Sequence, residues 1–454
     1  MPDFQPFPAL RYDQGIDLPA VLAPPYDVLS DLDTERLHAL SAFNITHIDV
    51  PDNQDYGHAA DVLRAWVADG TLCPDDSDTL SIYRLSFIDS AGNPREIVGV
   101  LGGLEVVDAP VGGGPGGPGD GAGGSRDGAG VSRDGATATG SGSGTAGDGS
   151  TSRRRTTVLP HEQTTPKAST DRLELMRATA ANTSPVWGLS LASGLAAALE
   201  DPAEFMGSID VEGVTHTLER ITDPERTAAI QTILAADDVL IADGHHRYSV
   251  SRQYRDEVRA ATGRTDTRAE QTLTFVNELI EDQLSIEAIH RLYAGVTAEA
   301  LRAGLETCFE LSPLTAGTAG GVTPATLGEM VTSGRMVLLW PDGSAEWMAP
   351  KPGVFDGIRN LDGLWLETAL QGVQVDVTYQ HGLSEMVNTV ASGHFTAGIL
   401  IRPTSIDEIR RTAREGLLMP PKSTFFTPKL LTGWVIRPTE PVVQNDTSTN
   451  SDQD

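Results

Sequence analysis

Cysteine is nearly absent. Cys73 and Cys308 are the only two in 454 residues, far apart and without neighbouring ligand residues, which argues against a disulfide framework or a zinc ribbon. Basic residues are scarce as well: 33 Lys and Arg stand against 63 Asp and Glu, a formal charge of −30. A surface of that sign repels the phosphate backbone of DNA and RNA, so no nucleic-acid partner is expected, although a local basic cluster can still hold a small anion. Long apolar runs are missing too. No stretch approaches the roughly 18 residues of a membrane span, and the opening MPDFQPFPAL lacks a basic-then-apolar leader pattern. These absences predict a cytoplasmic protein without membrane contact. The length predicts two or three domains.

One segment lacks nearly everything a core needs. From about Pro110 to Ser152 the chain is almost all Gly, Ser, Ala, Thr, Asp and Pro, with no aromatic and only two valines. Such a segment buries too little to offset its ordering entropy and predicts a flexible insertion. It interrupts a β-rich region between IVGVLGGLEVVD (97–108) and RRRTTVLPHEQT (153–164), so it reads as a long loop inside one domain. The tail after Pro438 has a similar composition.

Elsewhere the pattern alternates irregularly. Tyr56, Ala60, Leu63 and Val67 fall at helical spacing before Asp69-Gly70. Leu80 to Phe87 and Arg95 to Val107 read as strands around DSAGN (89–93). Asp171 and Glu174 suit the start of a helix through about Ala181. Strands are expected at Gln271 to Ile280, MVLLW (336–340) and TAGILIR (396–402), and a helix between Ser405 with Glu408 and Gly416. The fold class expected is α+β with mixed sheets rather than a regular doubly wound sheet.

The most informative stretch is DVLIADGHHRYSVSRQY (238–254). An apolar run ends in Asp243-Gly244, and two histidines and an arginine open a helix. A helix start presents backbone N–H groups and a positive dipole end to an anion. Gly244, His245, His246 and Arg247 are candidate phosphate-binding residues, and Asp243 is a candidate catalytic acid or metal ligand. The alternative is a buried imidazole network with Arg247 in a structural ion pair.

Three other strings carry chemistry. APPYDVLS (23–30) sets Tyr26 and Asp27 after a Pro-Pro pair that holds the backbone extended; it suits a ligand site or an Asp cap for the helix near Thr34. LPHEQTTPK (159–167) places His161 beside Glu162, either of which can act as a base on a substrate hydroxyl, or the run is a simple turn. MPPKSTFFTPK (419–429) offers Lys422, Ser423, Thr424 and Lys429 to a carboxylate or phosphate, with Phe425 and Phe426 as anchors or stacking rings. It lacks the glycine-rich lead of a Walker A loop.

PPYDVLS, FNITHIDVP (43–51), the run from PHEQT to DRL (160–173), ADGHHRY (242–248) and MPPKSTFFTPK occur in this order. In that, the chain resembles the bacterial family named domain of unknown function 1015, from near residue 5 to about residue 438, with a longer Gly-rich insertion. Asp243 to Arg247 also resembles the signature of the ParB/sulfiredoxin superfamily, which includes ADP-dependent free-serine kinases. That second resemblance implies nucleotide phosphates on Gly244, His245, His246 and Arg247, with Asp243 near the reacting phosphoryl group. It further implies ATP or ADP with Mg²⁺ as cofactors and a glutamate base, for which Glu162 is the candidate. The implied organisation is an N-terminal α+β domain (1–195), a ParB/sulfiredoxin-like core (196–295), a C-terminal α+β domain (296–438) and a disordered tail (439–454).

Three functions follow as expectations: a small-molecule phosphotransferase acting on a hydroxyl amino acid, a ParB-type nucleotide-binding regulator, and a metal-dependent phosphoester hydrolase using Asp243, His245 and His161. All require the separated motifs to converge in space.

Overall fold

The computed structural model describes residues 1–89, 92–108, 157–160, 169–314, 321–420 and 422–440. The Gly-rich segment, the tail beyond Glu440, and His161 with Glu162 lie outside the described residues. Residues 1–107 and 156–454 form one compact unit and 108–155 another.

Two large sheets and interspersed helices give a mixed α+β architecture. The first sheet has nine strands. From edge to edge it runs Val158–Pro160, Val239–Asp243, Val186–Ser190, Gln271–Glu278, Pro94–Glu105, Leu80–Ile88, Val214–Ile221 and Glu204–Val211; Phe4–Gln5 pairs with Pro94–Glu105. Val158–Pro160 runs parallel to Val239–Asp243, and Val186–Ser190 parallel to Gln271–Glu278. The other ladders are antiparallel. The Gly-rich insertion therefore joins two strands of one sheet. This sheet also takes strands from both sides of residue 195.

The run VLIA at 239–242 is apolar throughout because each face of its strand meets a different core. Val239 and Ile241 pack into one buried cluster, Leu240 and Ala242 into the other. A strand covered on both faces loses the in–out alternation of a half-exposed one. The glycines of Pro94–Glu105 make room: a Cβ at Gly99 would collide with the Phe275 ring.

The second sheet is antiparallel throughout, in the order Phe309–Pro313, Ala345–Pro350, Met336–Leu339, Ala397–Leu400, His290–Ala294 and Asp376–Gln380. The helix expected after Ser405 is Ile406–Glu415; the Ser405 side chain accepts from the Glu408 N–H, and Gly416 closes it at φ 65°.

The C-terminal stretch returns to the first strands. Leu10 and Ile436 exchange backbone hydrogen bonds at 2.9 and 3.0 Å, Thr432 donates to the Ala23 carbonyl at 2.8 Å, and Thr439 to Ala180 at 2.8 Å. The Tyr83 hydroxyl accepts from the Leu431 N–H at 3.1 Å.

Two local expectations need correction. Asp27 does not cap the helix Asp31–Leu40: Ser30 does, in a reciprocal capping box with Asp33, and Asp27 sits in the short turn Tyr26–Val28. The helix Ser169–Thr179 stops before Ala181, because Ala180 takes a left-handed φ of 47°. Among the described residues no helix is long and apolar enough to cross a membrane.

Candidate functional site

The strand Val239–Asp243 leads into the 18-residue helix His245–Thr262 through Gly244 alone, at φ 79°. That backbone conformation favours glycine, and there is a second reason for glycine here. An added Cβ would lie 3.1 Å from the Arg247 guanidinium, which folds back over the turn. Gly244 brings no side chain to cap the helix, so the first turn keeps the dipole end that attracts anions.

Arg247 is held on three sides. Nη2 donates to Asp243 Oδ2 at 3.0 Å, and Nη1 donates to Ser184 Oγ at 3.0 Å and to the Pro185 carbonyl. Lys429 Nζ stands 3.2 Å from Asp243 Oδ1. Each Asp243 oxygen thus faces a cation. Burial alone would raise the Asp243 pKa, but Lys429, Arg247 and His245 together hold the carboxyl well below the usual carboxylate range.

Beside this cluster lies a second buried pair. Arg172, on the helix Ser169–Thr179, donates to the Asp49 carbonyl at 2.7 Å and lies 3.5 Å from its carboxylate, while the Thr183 hydroxyl donates to Asp49 Oδ1 at 2.6 Å. The Arg172 guanidinium covers the Tyr26 ring at 4.2 Å, and its buried Nε has no hydrogen-bond partner among the described residues. Leu173 and Met176 of that helix pack against Val250 and Tyr254 of His245–Thr262, which fixes Arg172 beside Arg247. A cavity of about 50 Å³ lies among Tyr26, Asp49, Arg172, Ser184, Arg247 and Ser251. It has room for a few waters but is far too small for a nucleotide. Burial raises the Tyr26 pKa, partly opposed by Arg247 and Arg172. Asp27 is exposed and acts electrostatically on Arg247.

The 419–429 string is not all loop: Phe425–Phe426 pairs with Ile286–Glu287. Phe426 is buried against Trp187. Phe425 stacks on His381 at 4.0 Å, and Lys429 Nζ lies 4.4 Å from the same Phe425 ring. Burial, then the charges of Lys422 and Lys429, push the His381 pKa down. The Ser423 hydroxyl donates to the Pro420 carbonyl at 2.7 Å, and Thr424 is buried.

Of the residues singled out in sequence, Tyr26, Asp27, Asp243, Gly244, His245, Arg247 and Lys429 come together. Lys422 acts electrostatically on His381, which stacks on Phe425 beside Lys429. His246 lies in the first turn of the same helix. The strand before His161 and Glu162 ends at Pro160, opposite Ile241. Asp49, Arg172, Ser184 and His381 were not singled out; Asp49 lies inside FNITHIDVP and Arg172 inside DRL, strings used for family resemblance only.

The charge on the cluster is balanced, with Arg172, Arg247 and Lys429 against Asp27, Asp49 and Asp243. Its cations already serve carboxylates, so an entering anion would have to compete with them. A resident Mg²⁺ does not fit. Both Asp243 oxygens face cations, and the described residues contain no group of three His, Cys, Asp or Glu that could hold a metal.

A family model described as a protein of unknown function, DUF1015, matches residues 4–112 and 148–364. No curated protein matches the sequence. Solved structures with detectable similarity include a conserved hypothetical protein from Pyrococcus furiosus, at 12% identity and TM-score 0.32, covering 60% of this chain and 87% of that one. A free serine kinase in complex with AMP matches at 13% identity and TM-score 0.32, covering 60% and 83%. SbnI from Staphylococcus aureus matches at 14% identity and TM-score 0.30, covering 60% and 81%.

Proposed function

The chain belongs to the DUF1015 family, and on that footing we propose that it is a nucleotide-dependent small-molecule phosphotransferase whose phosphate-binding element is the turn 243–247. In this reading the turn and its helix form a ParB/sulfiredoxin-like element. One observation carries the reading: a helix start whose N-cap is Gly244, bearing Arg247, meets Lys429 from the distant 419–429 segment across a shared carboxylate. Phosphoryl transfer asks a protein mainly for positioning and for cations around the phosphoryl oxygens. Here Arg247, Lys429 and the backbone of the first helical turn supply them, and Asp243 keeps the two side chains in place until phosphate replaces it. ATP or ADP is the donor. The acceptor is a hydroxyl amino acid, whose carboxylate Lys422 holds. Tyr26 and Asp27 close the opposite wall, and Glu162, beside His161, acts as base.

A second reading, a ParB-type regulator that binds nucleotide without turnover, draws on the same ion pairs. A carboxylate held by two cations is a poor base and a poor metal ligand.

The deciding experiment offers ATP, ADP and CTP each with serine, with and without Mg²⁺, and follows phosphorylated product by mass. Lys429→Met is expected to weaken nucleotide binding by roughly 1.5–3 kcal/mol, the value of one charge-assisted hydrogen bond. Glu162→Gln is expected to keep nucleotide affinity and lose turnover, because a base acts on the acceptor. Binding without product in every combination favours the regulator. Nucleotide affinity unchanged in Lys429→Met removes the site itself.

A further inference from the structure

A second, larger cavity opens at the other end of the nine-stranded sheet. It measures about 220 Å³, between the strand Leu10–Tyr12, the residues that follow it, and the paired strands Glu204–Val211 and Val214–Ile221. Its walls are mostly apolar: Leu18, Met206, Leu218 and Trp434, with Tyr12 and Phe205. Phe205 is 65% exposed, a large ring left in water on an edge strand.

The polar side chains are Arg11, Asp13 and Gln14, the first two of opposite charge. Arg11 lines the cavity with a side chain only 7% exposed. Its Nε and Nη2 edge is taken by Asp75 at 2.9 and 3.0 Å, and Nη2 also donates to Ser81 at 2.8 Å. Nη1 is buried and has no hydrogen-bond partner among the described residues. A buried charged donor without an acceptor is costly, and an Arg edge of this kind suits a carboxylate. Asp13 also lines the cavity, exposed to solvent, its Oδ1 accepting the Gly15 N–H at 2.9 Å.

We propose that this cavity binds a small α-amino acid with an apolar side chain. The ligand carboxylate meets the Arg11 guanidinium, turning Nη1 out of its closed position, its ammonium meets Asp13, and its side chain lies against Leu18, Met206 and Trp434, drawing Phe205 over it. The charge pattern selects this class. Asp75 already matches Arg11, so with Asp13 the pocket repels a phosphate or dicarboxylate, whereas a wholly apolar ligand leaves Nη1 unsatisfied. The volume lies below the roughly 300 Å³ at which drug-sized pockets begin, as befits a single small metabolite.

Calorimetric titration of the full chain with L-leucine and L-phenylalanine tests this, alongside leucinamide, which lacks the carboxylate, and 4-methylpentanoate, which lacks the ammonium. Saturable binding of an apolar amino acid is expected, weaker by about tenfold or more when either charged group is removed, the worth of one charge-assisted hydrogen bond. Asp13→Asn preserves the turn acceptor for Gly15. It should weaken the amino acid to a similar degree and leave 4-methylpentanoate unaffected. Met206→Trp, which fills the cavity, should abolish binding of both. The proposal fails if neither amino acid binds the wild type, if binding is indifferent to both substitutions, or if Lys429→Met rather than Asp13→Asn removes it.

Discussion

The two cavities are built on the same motif and differ in how it is used. Each is lined by a buried arginine, Arg172 in one and Arg11 in the other, that is paired to an aspartate and keeps one nitrogen without a partner. Around Arg172 two further cations and two further carboxylates crowd in, leaving about 50 Å³. Around Arg11 the neighbours are apolar and the space is about 220 Å³. They approach each other through the 430s: Trp434 lines the larger cavity, and the adjacent Gly433 donates at 3.0 Å to the carbonyl of Thr183, which lines the smaller. A crowded ionic cluster suits a ligand that exchanges partners with charges already present. An apolar pocket with one charged edge suits a ligand that fills space.

The largest expected effect breaks the resemblance between the two arginines. Arg11→Met leaves buried Asp75 with the Thr79 hydroxyl at 2.7 Å and, as its remaining cation, the more exposed Arg220 at 3.3 Å, and should cost about 3–5 kcal/mol of unfolding free energy, as removal of one partner from a buried pair does. Urea denaturation measures it. A loss under 1 kcal/mol would mean that the pair contributes little and that Arg11 is held for ligand alone.

Acid separates the two regions next. His216, hydrogen-bonded through Nδ1 to the Tyr83 hydroxyl at 2.8 Å and beside Trp434 of the larger cavity, has its pKa pushed down to about 4 by burial. Below its ordinary 6.5 the unfolded chain takes up a proton that the folded chain refuses, so stability falls as pH drops from about 6.5 to about 4, by on the order of 3 kcal/mol. His290, in the second sheet and likewise lowered to about 4, adds to the slope. Asp243 behaves differently. Its pKa lies below the ordinary 3.8, so its contribution is complete above that value and is lost only as pH falls below it. Urea midpoints of wild type and His216→Asn between pH 7 and 4 should converge toward the acid end. Parallel curves would show that His216 is not the titrating group.

The smallest effect sharpens the view of the ionic cluster. Gly244→Ala places a side chain at left-handed φ beside the Arg247 guanidinium and should destabilise by about 1–2 kcal/mol, as measured by urea denaturation. Nucleotide affinity should fall with it, because Arg247 must move. Lost stability with unchanged affinity would separate Arg247 from binding.

The strand, turn and helix at 238–254 were legible because each signal is local: an apolar run, a glycine, then helical spacing. So were the Ser405 cap and its Gly416 stop. The α+β class followed from irregular alternation. What sequence could not supply was pairing across distance. Asp49 and Arg172 meet only because two helices carry them to one wall, and neither has a neighbour in sequence that marks it. Arg247 shows why two readings stayed open: the structure gives it the structural ion pair and the helix start together. Asp27 read as a cap because Ser30, three residues on, performs that job with the same chemistry.

The return of residues 430–439 to the first strands bears on how the chain is made. A ribosome releases the amino end first, yet the backbone partners of Leu10 and Ala23, and the donor to Tyr83, come from the last described stretch. The nascent chain must hold an unfinished core, with Trp434 still missing from it, until residues 430–439 have been made. A chain lacking residues 430–439 would thus leave an open apolar surface, the kind that recruits chaperones or aggregates.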